Sequence, residues 1–412
     1  MPVSSRVMAM VLAGGRGERL MPLTRDRAKP AVPFGGRYRL IDFVLSNLVN
    51  SSIARIKVLT QYKSNSLNEH ISRAWHFNFN LGGFIEAVPA QQRLGAFWYR
   101  GTADAVYQNI SLLFDEEPEY VCVFGGDHIY RMDVLQMLAY HRDVNAPVTV
   151  SAVPVPLAAA REFGILDVDA SGKVLAFHEK PSDPRPMPGR EGFALASMGN
   201  YIFNRGVLTE TLEQIQVDAA ATDFGKHILP RLCESGLLHA YDFLLNDVPG
   251  TTERARGYWR DVGSPDAYWE ASMDLVEVDP VFNLYNEQWP LRTLYPHLPA
   301  AKFVFADKAG ERLGIATDSL VAEGCILSGG HIHRTVLHPR VRINSFSYVE
   351  ESVLMTGVDV GRHAMIRRAI IDKGVRIPAA TRIGYDLEED RRRFTVTDSG
   401  LVVIPKGAVI EA

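Results

Sequence analysis

Apolar and polar positions follow two different rhythms along this chain. Up to about Asp274, short apolar runs of strand length alternate with segments whose apolar residues recur at three and four. That is the pattern of an α/β sheet with covering helices. It predicts strands over 8–12, 56–59, 121–124 and 148–153, and helices over 42–50 and 103–114, so the sheet is expected to be wrapped on both faces. A stretch rich in Pro and aromatics, 279–299, carries neither period and reads as an ordered connector.

Beyond the connector a repeat takes over. Aliphatic residues fall at Leu320, Ile326, Ile332, Leu337, Ile343, Val349, Leu354, Val360, Ile366, Ile371, Ile377 and Ile383, spaced 6, 6, 5 and summing to a period of 17. Successive periods stack these residues in three columns, which predicts a three-sided coil. A further column, Val341, Val358 and Val375, precedes the second by the two-residue offset that keeps side chains on one face of a strand. A parallel β-helix follows, each turn covering the apolar column of the next. A β-sandwich would not put twelve aliphatics in phase. The expected organisation is an α/β domain over 1–278, the connector over 279–299 and the coil over 300–412.

Composition narrows the function. The 412 residues are 47% hydrophobic and 22% charged with a formal net charge of -4, ordinary for a globular protein and without the basic bias that nucleic-acid binding requires. No apolar run approaches the roughly 20 residues of a membrane span. The apolar stretch 7–13 runs into Gly14-Gly15 without the cleavage pattern of a signal peptide, so a cytoplasmic location is expected, with neither nucleic acid nor membrane as partner. Cys122, Cys233 and Cys325 are odd in number, far apart and in apolar contexts, and are expected to be reduced.

The candidate chemistry starts where the first strand ends. Leu12-Ala13-Gly14-Gly15-Arg16-Gly17-Glu18-Arg19-Leu20 is a strand-to-loop transition whose glycines let backbone amides approach a nucleotide and its phosphates. It is neither a dinucleotide fingerprint, whose third glycine would fall at Leu20, nor a P-loop, since no GK[ST] follows. Arg16, Arg19 and Lys29 add cations suited to phosphate. Asp127 follows the apolar run 121–124, at the carboxyl end of a strand where α/β sheets place ligands. In isolation it would be a turn aspartate after two glycines; a second carboxylate, Asp261, set among Trp259, Val262 and Tyr268, makes the pair a candidate metal site. Lys180 closes the strand-like segment 174–178 and could meet a phosphate as a point charge, although most lysines are solvated. His331 and His333 read as the polar face of the coil.

Several motifs in order resemble the sugar-nucleotide pyrophosphorylases, and in particular the ADP-glucose pyrophosphorylases. They are LAGGRGERL and RAKPAVPFGG, then Pro89–Arg93, Trp98–Ala105, Gly125–His128, Phe163-Gly164, Glu179–Pro181, Ala196–Gly199 and Tyr258–Gly263, spanning nearly the whole chain. The resemblance implies an α/β fold class: an N-terminal Rossmann-like nucleotidyltransferase domain and a C-terminal left-handed parallel β-helix. It implies transfer of the adenylyl group of ATP to glucose 1-phosphate, with Mg²⁺ on Asp127 and Asp261. Arg19 and Lys29 would act with Asp127 in catalysis. Leu12, Ala13, Gly14, Gly15, Arg19, Lys29, Gln92 and Gly101 would hold the nucleotide, Gln92 selecting adenine. Tyr99, Gly164, Glu179, Lys180 and Ser197 would hold glucose 1-phosphate.

The same resemblance implies a homotetramer and a small-molecule metabolic effector near the junction of the domains, with Arg39 and Arg393 as candidate regulatory residues. Asp26 stands where several bacterial relatives carry a lysine for a sugar bisphosphate, which argues against that effector here. A uridylyl- or guanylyltransferase is the nearest alternative, separable by base preference. A non-catalytic regulatory subunit is another, opposed by the joint presence of Arg19, Lys29, Asp127, Lys180 and Asp261.

Overall fold

The computed structural model describes residues 3–76, 82–93, 95–187, 189–216, 222–307, 309 and 312–411. A nine-stranded mixed sheet forms the first part of the chain. Val7–Ala13 lies inside it, parallel to Tyr120–Gly125 on one side and to Arg55–Thr60 on the other, and Phe84–Pro89 closes the edge beyond Arg55–Thr60. The long strand Phe193–Asn204 pairs antiparallel with Tyr120–Gly125 and with Val148–Pro156.

The central strand shows why its run is continuously apolar. Val7, Ala9 and Val11 pack into one core with Ile41, Val44 and Leu48 of the helix Leu40–Asn50, whereas Met8 and Met10 pack into a second core with Val106, Leu208 and Leu212. Both faces are covered, so neither parity of the strand can be polar. The helix Leu40–Asn50 is fixed at its start by a buried carboxylate: Asp42 accepts from the Arg39 amide (2.8 Å), His70 Nε2 (2.6 Å), Trp75 Nε1 (3.0 Å) and Thr293 Oγ1 (2.7 Å). Four donors offset the desolvation of that charge, and one of them reaches back from the connector.

The helix expected over 103–114 is two short ones, Thr102–Tyr107 and Ser111–Glu116. Asn109 causes the break. Its side-chain amide donates to Ala105 O at 2.8 Å, taking the carbonyl that an α-helix would give to the Asn109 backbone N–H, which bonds instead to Val106 O at 3.1 Å. A side chain that competes for the ladder in this way ends a helix from inside.

The last part is a three-sided parallel coil. Its faces are the stacks running from Lys302–Val304 to Arg376–Ile377, from Ile315–Thr317 to Arg382–Ile383, and from Leu320–Val321 to Val402–Ile404, the last edged by Thr395–Val396. From Ile332 onward the columns are those of the 17-residue period: Leu337, Leu354 and Ile371 stack in register, as do Ile343, Val360 and Ile377, and Ile332, Val349, Ile366 and Ile383. The first turn differs. Val321, not Leu320, aligns with Leu337, and Leu327, not Ile326, aligns with Ile343, so that turn is one residue short. The missing residue is at the Gly329-Gly330 corner: a Cβ on Gly330 would come within 2.6 Å of Ile343 Cγ2, and only glycine lets the corner close so tightly.

Coil and sheet domain share a core. Val336, Val353, Met355, Ile370, Leu401 and Val403 of the coil pack with Leu20, Leu23, Val32, Phe34 and Tyr268. Across the same seam Arg27 grips Asp372 with both carboxylate oxygens at 2.8 Å, the pair almost wholly buried.

Candidate functional site

A cleft of about 670 Å³ opens at the carboxyl ends of the central strands. Three of its walls follow from local chain geometry. Val7–Ala13 delivers Gly14 and Gly15 to the rim, Arg55–Thr60 delivers Gln61, and Tyr120–Gly125 delivers Asp127. This is where the dipoles and loop amides of a parallel sheet converge.

Asp261 reaches Asp127 through a second, smaller sheet. Trp259–Asp261 pairs antiparallel with His128–Tyr130, and the register sets Asp261 opposite His128, one residue from Asp127. Lys29 stands between the two carboxylates, its Nζ 2.9 Å from Asp127 Oδ2 and 2.6 Å from Asp261 Oδ1. Burial opposes the charge on Lys29, but the two aspartates outweigh it and hold the ammonium above its ordinary pKa. Burial likewise works against ionised Asp127, and Lys29 and His128 overcome it, drawing that carboxyl below the usual range. Arg19 completes the group with Nη2 at 3.6 Å from Asp261 Oδ2, while its Nη1 donates to Glu162 at 2.7 Å. Among the described residues, one ligand atom each from Asp127, His128 and Asp261 falls within 4.8 Å of the others, a spacing suited to a single cation. Each carboxylate gives one oxygen to Lys29; the other faces a more distant cation or ring, Asp261 Oδ2 towards Arg19 and Asp127 Oδ1 towards His128 Nε2 at 3.7 Å.

Tyr99, Gly101 and Glu179 line the opposite wall together with Tyr201 and Asp223. Tyr99 is bracketed by Gln61, whose Nε2 donates to Tyr99 O at 3.1 Å and whose Oε1 accepts the Tyr99 amide at 2.6 Å; the phenol accepts from Asn109 at 2.8 Å. Gly101 lies against Thr222, whose carbonyl accepts the Ala103 and Asp104 amides; a Cβ on Gly101 would come within 2.3 Å of that oxygen. Gly164 pairs with Glu179 across adjacent strands. Glu179 is raised above the usual carboxylate range by burial and by Asp223, against the pull of Lys180 and Lys226.

Of the residues singled out from sequence, Leu12, Ala13, Gly14, Gly15, Tyr99, Gly101, Asp127 and Glu179 line the cleft, and Lys29, Asp261 and Arg19 are joined to it by ion pairs. Ser197 borders it, accepting the amide of the cleft residue Gly199 at 3.3 Å. Lys180 is exposed directly after Glu179, with left-handed backbone at φ 48°, and Gln92 sits on an exposed loop outside the lining. Arg39 is partly buried, donating to Ser66 O at 2.6 Å, whereas Arg393 is exposed over the Phe394 ring; among the described residues no contact joins them. Sequence reasoning passed over Gln61, Asn109 and Asp223. Gln61 was findable by the rule that located Asp127, since it too follows a central strand.

The nucleotidyl transferase family model matches residues 8–278, and a model described as GlmU-like, C-terminal hexapeptide matches 299–404. The chain is 56% identical over 409 residues to a glucose-1-phosphate adenylyltransferase of Anaeromyxobacter sp. (strain Fw109-5), covering 99% of this chain and 100% of that one. It is 57% identical to the protein of that name from Anaeromyxobacter dehalogenans, over 99% of both chains. Against the one from Thermus thermophilus the identity is 55%, over 98% of this chain and 99% of the other.

Proposed function

The chain belongs to the nucleotidyl transferase family, among the glucose-1-phosphate adenylyltransferases, and from that premise we propose that the cleft at Gly14-Gly15 and Asp127 joins ATP to glucose 1-phosphate. The products are ADP-glucose, the glucosyl donor for α-glucan synthesis, and pyrophosphate. A phosphate oxygen of glucose 1-phosphate attacks the α-phosphorus of ATP, and the bond to the β-phosphate oxygen breaks. The nucleophile is already anionic at neutral pH, so the protein's task is to position the two substrates and neutralise charge rather than to remove a proton.

The observation that carries this reading is the cation-bridged pair, Asp127 and Asp261 held by Lys29 at the mouth of the glycine loop. Amides of 12–15 meet the nucleotide. Arg19 and Lys29 meet the pyrophosphate as it leaves, each already held by a carboxylate that keeps its charge and orientation. Tyr99, Gly164, Glu179 and Ser197 face the sugar hydroxyls, and Lys180 meets the sugar's phosphate. Gln92 reaches adenine from its loop. Enzymes of this family work with a divalent metal; here Asp127 and Asp261 would hold it, and we name Mg²⁺, for which two carboxylates plus substrate phosphates are the usual setting. Bound there, it would supply Lewis-acid neutralisation of the substrate phosphates.

The reading extends to a division at 278/279 and 299/300, a cytoplasmic location and a homotetramer. The exposed Phe303, Phe305 and Phe346 of the coil support self-association. No described helix is long and apolar enough to cross a membrane. A small-molecule effector near Arg39, with Arg393 as the second regulatory candidate, belongs to the same reading. The test is pyrophosphate release from the purified protein with four nucleoside triphosphates and several sugar phosphates, repeated with a panel of glycolytic intermediates. ATP with glucose 1-phosphate should exceed every other pair; a preference for UTP or GTP would assign a different nucleotidyltransferase.

A further inference from the structure

The Arg19 side chain is more than half exposed, yet its guanidinium is held on three sides. Nη1 donates to Glu162 Oε2 at 2.7 Å, and Nη2 lies 3.6 Å from Asp261 Oδ2. Gly263 closes the third side. A Cβ there would come within 3.1 Å of Nη2 and 3.2 Å of Asp261 Oδ2, so glycine gives the pair its room. A guanidinium has five N–H donors, of which the bond to Glu162 uses one, and the contact with Asp261 is too long for a hydrogen bond. Donors therefore remain for an incoming phosphate.

The place of Glu162 in the chain fixes its carboxylate. It stands between the short helix Leu157–Ala160 and the strand Gly164–Val168, its amide on Ala159 O at 3.1 Å and that of Phe163 on Ala160 O at 3.2 Å. Phe163 then packs edge-on against Trp259, the ring centroids 5.1 Å apart, and Trp259 shares a three-residue strand with Asp261. The contacts close into a circuit: Glu162 to Arg19, Arg19 to Asp261, along the strand to Trp259, across to Phe163, and back to Glu162. The Phe163 carbonyl also accepts the Lys180 amide at 3.0 Å, which anchors the segment to the sugar wall. An ion pair this exposed contributes little to stability, so its consequence lies in the chemistry.

We propose that Glu162 is a positioning residue, which holds the Arg19 guanidinium at the pyrophosphate end of the cleft before ATP arrives. The proposal rests on the reading that Arg19 meets the departing pyrophosphate. Arginine is among the side chains that lose most rotamer freedom when fixed, and that loss otherwise falls on the binding or the chemistry. Glu162 and Asp261 take it in the free protein. Solvent around the exposed carboxylate weakens its repulsion of the phosphates.

Glu162→Ala, Arg19→Ala and the double variant form a cycle that tests this. Glu162→Ala should lower kcat/KM for ATP about two- to tenfold, the scale of ordering one long side chain, with KM for glucose 1-phosphate and the melting temperature near the parent's. Glu162→Gln, which keeps an oxygen acceptor for Nη1, should restore most of the loss. In the Arg19→Ala background Glu162→Ala should have no further effect. The same cycle read as pyrophosphate affinity by calorimetry with Mg²⁺ needs no turnover: Glu162→Ala should weaken binding about two- to tenfold when Arg19 is present and leave it alone when Arg19 is absent. Parent-like kinetics and affinity in Glu162→Ala, or an equal loss with and without Arg19, would overturn the proposal. Arg19→Ala with parent-like turnover and pyrophosphate affinity would instead overturn the reading of Arg19 itself, and the role of Glu162 with it.

Discussion

Lys29 bridges Asp127 and Asp261, the proposed metal ligands, and Lys180 stands apart from them, exposed beside Glu179. The proposed function accordingly gives the two lysines separate jobs, Lys180 that of meeting the sugar's phosphate. The phosphate of glucose 1-phosphate is charged in the ground state and the transition state alike, so losing its partner removes uniform binding. Lys180→Ala should raise KM for glucose 1-phosphate about tenfold or more, a charge-assisted contact being worth roughly 1.5 to 3 kcal/mol, with kcat and the KM for ATP little changed. Steady-state kinetics with each substrate varied in turn checks this; a collapsed kcat with normal KM would exchange the roles of the two sites. His338 sets a pH dependence of its own. It is buried near Lys373 and Arg27; burial chiefly, then those cations, keep it neutral and lower its pKa to about 3, against about 6.5 in an unfolded chain. The unfolded chain takes up the proton first as pH falls. The stability His338 contributes is therefore present above pH 6.5 and lost progressively between 6.5 and 3. Chemical denaturation at pH 7 and pH 5 should show the parent losing about 2 kcal/mol more than His338→Gln. Asp127 and Asp261 were legible as residues because each lies in a marked motif. The partners of Arg27 and Asp42 were not, since Asp372 and Thr293 are hundreds of positions away and nothing local points to them.

Elements were legible where one period runs undisturbed. The central strand and the coil from Leu337 onward follow directly from apolar spacing, because burial on both faces or in a column leaves no other pattern. Spacing failed at two places where a single residue acts against it. Asn109 interrupts a helix with good apolar periodicity, and Gly330 removes one residue from a turn of the coil. Gly101 is the comparable point at the cleft. Its approach to the Thr222 carbonyl lets the segment carrying Asp223 lie against the start of the helix Thr102–Tyr107, where Thr102 Oγ1 donates to Asp223 at 2.9 Å. Gly101→Ala would force that segment outward. We expect a loss of about 1 to 3 kcal/mol in stability and a drop in kcat/KM for glucose 1-phosphate, read by denaturation and by steady-state kinetics. Unchanged values for both would mean that the contact yields freely.

At the scale of the molecule, the coil is structural support as much as an attachment. Its outward Val336, Val353, Ile370 and Leu401 complete a core whose other half is Leu20, Leu23 and Phe34, close in sequence to Arg19 and Lys29. Deleting 300–412 would expose that half and strand Arg27 without Asp372. The remaining fragment should be insoluble or inactive, as expression and pyrophosphate-release assays will show; a soluble monomer with full activity would make the coil a mere appendage. The account as a whole rests on the claim that the cleft holding Asp127 performs the adenylyl transfer. Asp127→Asn keeps the size of the side chain and removes the charge that pairs with Lys29 and would hold the cation. The most direct measurement is pyrophosphate release by this variant from ATP, glucose 1-phosphate and Mg²⁺, alongside its circular dichroism and melting curve. The prediction is a native fold with turnover reduced at least a hundredfold, on the order of what loss of a key electrostatic group costs. Near-normal turnover by a folded Asp127→Asn would contradict it.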